Sequence, residues 1–144
     1  MQPDATDWEI IKLLSKEHMT NNAIARELGL NEATIRQRIK KLKNSGIMTI
    51  RAQTNPDVLE NQQLAIITAN VERPDMLKTK AQEVSELENV LSVSIVAGQY
   101  DLLFEVLVES NKGLVKFITE ELSTISGLSK TETFVTLKTY NKFI

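Results

Sequence analysis

Apolar residues near the start of the chain recur with the spacing of an amphipathic helix. Ile10, Ile11 and Leu14 share one side of a helix predicted over residues 6–16, and Thr6 precedes them as a candidate N-cap. The acidic residues at positions 7 and 9 fall in the first turn, where the helix dipole favours negative charge. The pattern therefore predicts a first helix that buries a single apolar stripe.

Two further helices are predicted, joined by a very short connection. The first covers residues 21–28, begins after Thr20 as its N-cap and ends at Gly29, which suits a left-handed backbone. The second begins after Asn31 and ends at Gly46. Two helices separated by only Gly-Leu-Asn have the spacing of a helix-turn-helix unit, and a short strand-like segment over residues 47–53 follows them.

The third predicted helix combines a narrow apolar stripe with a high density of positive charge. Ile35, Ile39 and Leu42 recur at i, i+4 and i+7, so they define one buried side. Five cations occur within eight residues and no acid lies among them: Arg36, Arg38, Lys40, Lys41 and Lys43. A capped cationic helix of this kind suits the major groove of double-stranded DNA, although a charged face that is merely solvated is the alternative interpretation.

The remaining chain alternates strand-like and helix-like patterns. Residues 54–62 contain Asn-Pro-Asp and are interpreted as a hinge or linker. Strands are then predicted over 64–71, 90–97, 102–108 and 131–139, and helices over 77–87 and 112–122. The order βαββαβ predicts a ferredoxin-like α+β domain, in which two helices cover one face of an antiparallel sheet.

The strand predicted over residues 102–108 is apolar on both faces. Leu102, Phe104 and Val106 would point to one side, while Leu103 and Leu107 would point to the other. Helices of the same chain cover only one face of such a sheet, and large exposed apolar patches mark interfaces. We therefore expect the sheets of two subunits to pack together.

Composition and charge narrow the class of protein. The chain has 144 residues, 42% hydrophobic and 25% charged, as in soluble globular proteins. It contains no cysteine and one histidine, so no residue pattern predicts a metal site or another cofactor. The first residues lack a signal-peptide pattern and no segment is long enough to span a membrane, so we expect a cytoplasmic protein.

Charge is unevenly distributed along the chain. Residues 1–50 carry eight Lys and Arg against six Asp and Glu, whereas residues 51–144 carry nine against thirteen. The basic N-terminal part and the acidic remainder therefore have different functions in this interpretation.

Three motifs resemble the Lrp/AsnC family of transcription regulators (leucine-responsive, or feast/famine, proteins) over essentially the whole chain. The first is residues 4–11, Asp-Ala-Thr-Asp-Trp-Glu-Ile-Ile, preceded by proline where the family usually has leucine. The second runs from residue 25 to residue 47 and includes the basic helix, with Asn31 where serine is common. The third is residues 97–103, Ala-Gly-Gln-Tyr-Asp-Leu-Leu, similar to the family's Thr-Gly-x-Tyr-Asp signature.

The resemblance implies a two-domain transcription regulator that is not an enzyme. It implies a winged helix-turn-helix domain over residues 1–53, a linker over 54–62 with glutamate at position 60 where glycine is usual, and an effector-binding and oligomerisation (RAM) domain over 63–144. It further implies homodimers that assemble into tetramers or octamers. An amino acid bound near the Gly-x-Tyr-Asp loop would control assembly or DNA affinity.

The outward side of the basic helix supplies the candidate DNA contacts. Gln37 is the strongest candidate for reading a base, because glutamine pairs bidentately with adenine. Thr34 and Ala33 lie near the helix start, where they would meet thymine methyl groups. The remaining candidates are expected to hold phosphates or to begin a helix at the DNA: Thr20, Asn21, Asn22, Asn31, Arg36, Arg38, Lys40 and Lys41.

The Gly-x-Tyr-Asp loop supplies the candidate effector contacts. Gly98, Gln99, Tyr100 and Asp101 form a loop between two strands, where binding groups are common. A purely structural tight turn, which also requires glycine and aspartate, is the alternative. Two hydroxyls of the last strand are added to the candidate cleft, although threonine is also simply a good strand residue: Thr133 and Thr136.

Two other classes of function compete with DNA-binding regulation. Sirohaem decarboxylases share this architecture, but residues 64–144 contain no histidine and a single arginine, Arg73, to meet the carboxylates of a tetrapyrrole. An oligomerisation or sensing module without DNA binding is the other alternative, and the basic helix argues against it. Trp8 and Met19 are expected in the N-terminal core or hinge, and His18 on the surface.

Overall fold

The computed structural model describes all residues, Met1–Ile144, and the chain divides into two compact units. The first unit is Met1–Ala52 and the second is Gln53–Ile144. Each unit buries a hydrophobic cluster of its own. No helix in either unit has the length and apolar character that crossing a membrane requires.

The first unit is a bundle of three helices. They are α1 (Ala5–Lys16), α2 (Asn21–Leu28) and α3 (Glu32–Asn44). Ile10, Ile24 and Ile35, one from each helix, are completely buried against one another. The apolar stripes identified in the sequence therefore meet in one small core.

The N-terminus of α1 differs from the prediction. Thr6 was expected to cap this helix, but it lies inside the first turn and Asp4 is the N-cap. The Asp4 carboxylate accepts a hydrogen bond from the backbone N–H of Asp7 at 2.9 Å, and the Asp7 carboxylate accepts one from the N–H of Asp4 at 3.0 Å. This reciprocal capping box satisfies two N–H groups at once, whereas a cap at Thr6 would satisfy fewer.

The ends of α2 and α3 are as predicted. The Thr20 hydroxyl accepts a hydrogen bond from Ala23 at 3.2 Å, and Gly29 ends α2 with a φ of 65°. The Asn31 side chain caps α3, and Gly46 follows its last residues with a φ of 72°. These local signals fix the short turn between the two helices.

The strand predicted over residues 47–53 is not formed. The N–H groups of Ile47 and Met48 donate to Leu42 O at the end of α3, the rest of the segment pairs with no strand, and Ile50 is about half exposed. A strand needs a hydrogen-bonded neighbour, and the three helices of this unit provide none.

The second unit has the predicted βαββαβ order and a four-stranded antiparallel sheet in the order β2-β3-β1-β4. This confirms the ferredoxin-like prediction. The elements are β1 (Gln62–Val71), α4 (Leu77–Ser85), β2 (Val90–Ile95), β3 (Leu102–Glu109), α5 (Ser110–Lys116) and β4 (Leu128–Val135).

The two faces of this sheet differ in burial. Phe104 and Val106 of β3 and Ile67 of β1 are completely buried beneath the helices, together with Phe117. The opposite face, which we call the outer face, also carries apolar side chains, and these remain partly exposed: Ile66, Leu103, Leu107 and Phe134. The alternation along β3 is therefore apolar on both sides, as the sequence indicated.

Several boundaries in the second half differ from the predictions by two residues, and two elements differ by more. The helix predicted over 112–122 begins as α5 but changes its winding, with a π-helical turn over Phe117–Glu121 and a 3-10 turn over Leu122–Thr124. The last strand was predicted over 131–139 but forms over Leu128–Val135. Gly127, with a φ of 82°, turns the chain early enough for Leu128 to pair with Val71.

Residues after β4 are held by polar contacts instead of continuing the strand. Asp57, in the 3-10 turn Pro56–Val58, lies 2.8 Å from the Lys138 ammonium and accepts hydrogen bonds from the backbone and hydroxyl of Thr139. Thr54 and Ile144 exchange two backbone hydrogen bonds, of 2.7 and 3.0 Å. These contacts remove residues 138–144 from the sheet ladder.

Candidate DNA-binding surface and effector loop

The exposed face of α3 is the strongest candidate for contact with nucleic acid. Ile35 and Leu42 are completely buried, so the opposite side of the helix faces solvent. Gln37, Lys40 and Lys41 are exposed on that side and line a shallow depression with a volume of about 420 Å³. The structure thus places the predicted base reader and two predicted phosphate contacts on one surface.

The positive charges of this surface differ in how they are partnered. Lys40, Lys41 and Lys43 form no ion pair with any acid of the chain, whereas the Arg36 guanidinium lies 3.0 Å from the Glu32 carboxylate one turn earlier. This pair is largely exposed, and such pairs contribute little stability. Its guanidinium is thus easily released to a stronger anion, and the lysines are free already.

The helix starts also present free hydrogen-bond donors. The Asn31 Oδ1 accepts from Thr34 N at 2.8 Å, which leaves the amide N–H groups of Asn31 unused. Asn22 is exposed and unbonded, while Asn21 donates to Glu32 at 3.5 Å. The Thr20 oxygen accepts its capping bond and keeps its hydroxyl hydrogen for another acceptor. Phosphate oxygens are acceptors of the required kind.

Arg38 is placed differently from the other cations. Its guanidinium donates to Asp4 at 2.8 and 3.0 Å and to Asp7 at 2.8 Å, at the first turn of α1. These contacts, Asp4 first and then Asp7, raise the pKa of the guanidinium, and Arg38 in turn lowers the pKa of the Asp4 carboxyl. Arg38 was expected to hold a phosphate together with the lysines of α3. The structure instead directs its guanidinium to the two acids of α1.

Asp4 and Asp7 are therefore residues of this site that sequence reasoning missed. From the sequence, position 7 was interpreted only as a charge at a helix start, because the link to Arg38 spans 31 residues. The available signal was the pair of acids three residues apart before an apolar stripe, a spacing that places both on one side of the first turn.

The Gly-x-Tyr-Asp loop connects β2 to β3 and is tied to β1. Asp101 accepts a hydrogen bond from the backbone of Val71 at 2.9 Å, and its own N–H donates to Ala69 O and Asn70 Oδ1, both at 3.1 Å. The Asp101 carboxylate is thus used within the fold, which agrees with the structural interpretation of this residue. The rest of the loop is held by this anchor.

Part of the same loop remains available to a ligand. The backbone N–H groups of residues 97–100 donate to no group in the chain, and Gly98 and Gln99 are exposed. The Tyr100 hydroxyl donates a short hydrogen bond to the Glu132 carboxylate of β4, and this contact raises the pKa of Tyr100. The loop therefore offers free N–H groups, and its Tyr100 side chain reaches an acidic side chain of β4.

The two threonines proposed for this cleft are not brought together with the loop. Thr133 pairs with Ile67 and so faces the helices, while Thr136 lies beyond the end of β4, where its N–H donates to Leu64 O. Leu64 is five residues from Ala69 along β1, which corresponds to about 17 Å. Within one chain, Thr136 therefore lies far from the loop.

Three further expectations concern single residues outside these sites. Met19 packs against the first core as expected, and His18 is exposed as expected. Trp8 was expected in the core or hinge, but its side chain is 56% exposed on α1. Ile10, two residues later, occupies the core position, and residues two apart on a helix do not share a face.

No group of three or more acidic or histidine side chains is placed to hold a metal ion.

A helix-turn-helix unit with an exposed cationic helix, followed by a ferredoxin-like α+β unit, defines a class of two-domain DNA-binding regulators. The Lrp/AsnC ligand-binding domain model matches residues 64–143, and a winged helix-turn-helix DNA-binding model matches residues 3–47. The chain belongs to the Lrp/AsnC family of transcription regulators.

Relatives and solved structures agree with this assignment. An uncharacterised HTH-type transcriptional regulator of Pyrococcus furiosus is 34% identical over 134 residues, which is 92% of this chain and 90% of the relative. The HTH-type transcriptional regulator FL11 of Pyrococcus abyssi is 30% identical, over 96% of this chain and 92% of its own length. The chain is therefore similar along nearly its full length to proteins named as regulators, not as enzymes.

The fold is shared with more distant proteins of known structure. Escherichia coli AsnC matches with a TM-score of 0.70 at 22% identity, over 96% of this chain and 95% of that one. The leucine response regulatory protein of Mycobacterium tuberculosis matches with a TM-score of 0.81 at 20% identity, over 97% of this chain and 96% of that one. The fold is thus common to this chain and to two bacterial proteins of low sequence identity.

Proposed function

We propose that this transcription regulator reads specific DNA sequences through the exposed face of α3 and responds to an amino acid held at the loop of residues 97–101. The observation that carries the DNA-reading part is the set of cations on α3 without partners in the chain. Lys40 and Lys41 pair with no acid, although the whole chain has more acidic than basic residues. Such charges are arranged for a polyanion from outside the chain.

Within this surface, we assign separate roles to base contacts and phosphate contacts. Gln37 reads adenine, supported by Thr34 and Ala33 near the start of α3, because these side chains lie on the outward face. The phosphate contacts give affinity without sequence information. They are Thr20, Asn21, Asn22, Asn31, Arg36, Lys40 and Lys41.

Salt dependence of DNA binding tests this proposal directly. Removing one cation that neutralises a phosphate lowers the slope of log affinity against log salt by about 0.9. Lys40→Ala combined with Lys41→Ala should therefore weaken binding at low salt and reduce the slope by about 1.8 for each α3 in contact with DNA, or by about 3.6 for a dimer with both copies bound. The matched control removes two exposed, unpaired lysines of the second unit, Lys112→Ala with Lys116→Ala, and should leave the slope within error. An unchanged slope in the α3 variant would contradict the DNA-reading role.

The proposal that the loop binds an amino acid rests on its free N–H groups and on the carboxylate that Tyr100 contacts. The free N–H groups of residues 97–100 suit a carboxylate, and the carboxylate of Glu132 suits an ammonium group. An α-amino acid carries both groups. A structural relative, the transcriptional regulator NMB0573 of Neisseria meningitidis, was solved as an L-Met complex, with a TM-score of 0.70 at 21% identity over 95% of this chain and 91% of that one.

A thermal-shift screen with the twenty amino acids tests the effector. A ligand at 100 times its Kd stabilises the native state by about 2.7 kcal/mol, which raises Tm by about 5 °C or more. Gln99→Glu adds a negative charge beside the free N–H groups and should abolish the shift. Asn111→Asp, an exposed amide-to-acid change on α5, should preserve it. A shift that survives Gln99→Glu would place the effector elsewhere.

We also propose that a second copy of the chain covers the outer face of the sheet. Ile66, Leu103 and Phe134 give partly exposed apolar area there, interrupted by the Glu105–Lys142 ion pair, and exposed apolar area marks interfaces. Dimers of this kind would present two copies of α3 to two half-sites and would associate further into tetramers or octamers. The cytoplasm is the compartment that we assign to this regulator.

A further inference from the structure

Arg38 connects α3 to the first turn of α1 through three short contacts. Its Nη1 lies 2.8 and 3.0 Å from the two oxygens of Asp4 and 2.8 Å from Asp7 Oδ1. The same two acids close the capping box of α1. We call these three residues the Arg38 clamp.

Burial makes this clamp different from an ordinary surface ion pair. The Asp7 side chain is only 5% exposed, and its two oxygens have separate partners, since Oδ1 accepts from Arg38 and Oδ2 accepts from the N–H of Asp4. A buried carboxylate without a counter-charge is strongly unfavourable. Moving Arg38 toward a DNA phosphate would leave Asp7 in that state. Arg38 therefore stays with α1 when the protein binds DNA.

The clamp acts on the one degree of freedom that the apolar stripe leaves weakly fixed. Ile35 and Leu42 are completely buried and hold α3 to the bundle along one narrow stripe. Contacts along a single stripe oppose rotation of a helix about its axis less strongly than contacts on its flanks. Arg38 lies at one edge of this stripe and about 100° from Gln37 around the helix. A contact at the edge opposes rotation much more effectively than another contact along the stripe.

We propose that Arg38 is a positioning residue which, with Asp4 and Asp7, fixes the rotation of α3 and hence the reach of Gln37 to a base edge. This inference rests on the proposed DNA-reading function of α3. Recognition needs side chains within about 0.5 Å and 10–20° of the productive geometry. A rotation of that size moves the end of the Gln37 side chain by more than this tolerance. Losing the clamp therefore lowers sequence discrimination before it lowers general affinity for DNA.

Two charge-balanced double variants separate positioning from phosphate contact. Arg38→Gln with Asp4→Asn removes the clamp without changing the net charge, and asparagine is as good an N-cap as aspartate. Arg36→Gln with Glu32→Gln is the matched control, because it removes the exposed ion pair on the same helix and also leaves the net charge unchanged. The affinity of each variant and of the wild type is measured for a duplex selected from a random library and for a scrambled version of that duplex. The salt slope is measured on the selected duplex.

The expected results for the two variants are opposite. The Arg38→Gln, Asp4→Asn variant should lose about tenfold in the ratio of selected to scrambled affinity, as expected for one impaired bidentate base contact, with an unchanged salt slope. The Arg36→Gln, Glu32→Gln variant should lose about 0.9 in the slope and keep the ratio. A role in stability alone would reduce both affinities by the same folded fraction and leave the ratio unchanged.

A further variant guards against loss of folding. Arg38→Lys keeps a charge beside Asp7 but cannot span both acids with a planar fork. This variant should fold, as judged by circular dichroism, and its ratio of selected to scrambled affinity should fall below that of the wild type.

The possible failures are distinguishable. A slope lowered by about 0.9 with an unchanged ratio in the Arg38→Gln, Asp4→Asn variant would make Arg38 a phosphate contact and overturn the clamp. An unchanged ratio and slope in both Arg38 variants would also overturn it. A wild-type chain that binds no duplex in a salt-dependent way would instead overturn the DNA-reading function itself.

Discussion

The two units of the chain treat charge and apolar surface in opposite ways. In the first unit the apolar stripes of three helices are buried, and three lysines of α3 are left without partners. In the second unit three lysines are paired with acids, at Lys80–Glu83, Lys138–Asp57 and Lys142–Glu105, and the unpaired lysines are spread over α4, α5 and β4 instead of one helix face. Apolar area remains on the outer face of its sheet. The contrast shows that unpartnered groups, more than overall composition, indicate what each unit binds.

In our proposals, the partner of the first unit is a polyanion and the partner of the second unit is apolar protein surface. Charges that already have partners, such as Lys80 with a mostly buried side chain, serve the fold. A test of this contrast therefore changes an unpartnered group in one unit and leaves paired groups intact.

The largest expected effect is loss of self-association after one substitution on the outer face. Leu103→Glu places a further charge on the outer face that we assign to a second copy, and burying an unpaired charge is strongly unfavourable. Light scattering should show the mass falling to that of the monomer. Val115→Glu on α5, 60% exposed, should keep the wild-type mass. An unchanged mass for Leu103→Glu would mean that the outer face is not an interface.

The next effect is on stability and concerns the buried face of the same sheet. Phe104 is completely buried between β3 and the helices, so Phe104→Ala should cost about 3–5 kcal/mol in the free energy of unfolding. Phe143→Ala, whose side chain is 57% exposed, should cost far less. Denaturant unfolding followed by circular dichroism measures both values. Equal losses would contradict the assignment of the inner face as the core.

The smallest expected effect is a dependence of stability on pH in the acid range. Arg38 lowers the pKa of Asp4, and Lys138 lowers the pKa of Asp57, from ordinary values of 3.8. The stability that each pair gives is present above pH 3.8 and is lost as the pH falls through the lower value of the folded state. Asp4→Asn and Asp57→Asn should each flatten part of this loss.

NMR titration of the carboxyl carbons supplies the direct measurement of these pKa values. Asp4 and Asp57 should both titrate below the ordinary aspartate pKa of 3.8. If either aspartate titrated at its ordinary value, its ion pair would not exist in solution.

Local signals allowed much of the fold to be predicted from the sequence. Thr20, Gly29 and Asn31 act within four residues of themselves, and each was assigned correctly. The sequence of residues 102–108 likewise predicted the apolar outer face. This prediction needs only the alternation of side chains between the two faces of a strand.

Predictions were less successful where two local signals compete or where the partner lies far along the chain. The Asp4 cap displaced Thr6 because a reciprocal pair with Asp7 satisfies more N–H groups. The segment 47–53 looked like a strand but has no neighbouring strand to pair with. Arg38 was grouped with the phosphate contacts because its partners lie more than thirty residues away, where helical periodicity carries no information.

The effector loop illustrates the same limit of local patterns. The Gly-x-Tyr-Asp pattern located the turn, but only the structure shows that Asp101 is tied to Val71 and that Tyr100 reaches Glu132. Thr136 was grouped with the loop from its residue type, and the strand register separates the two.

Sequence reading by α3 is tested by the base preference of a Gln37→Ala variant. Selection from a random duplex library gives the preference at every position for the wild type and for the variant. We expect Gln37→Ala to lose about 1–3 kcal/mol of discrimination at one adenine in each half-site, with the other positions and the salt slope unchanged. An identical profile for wild type and variant would contradict the proposal that the outward face of α3 reads DNA sequence.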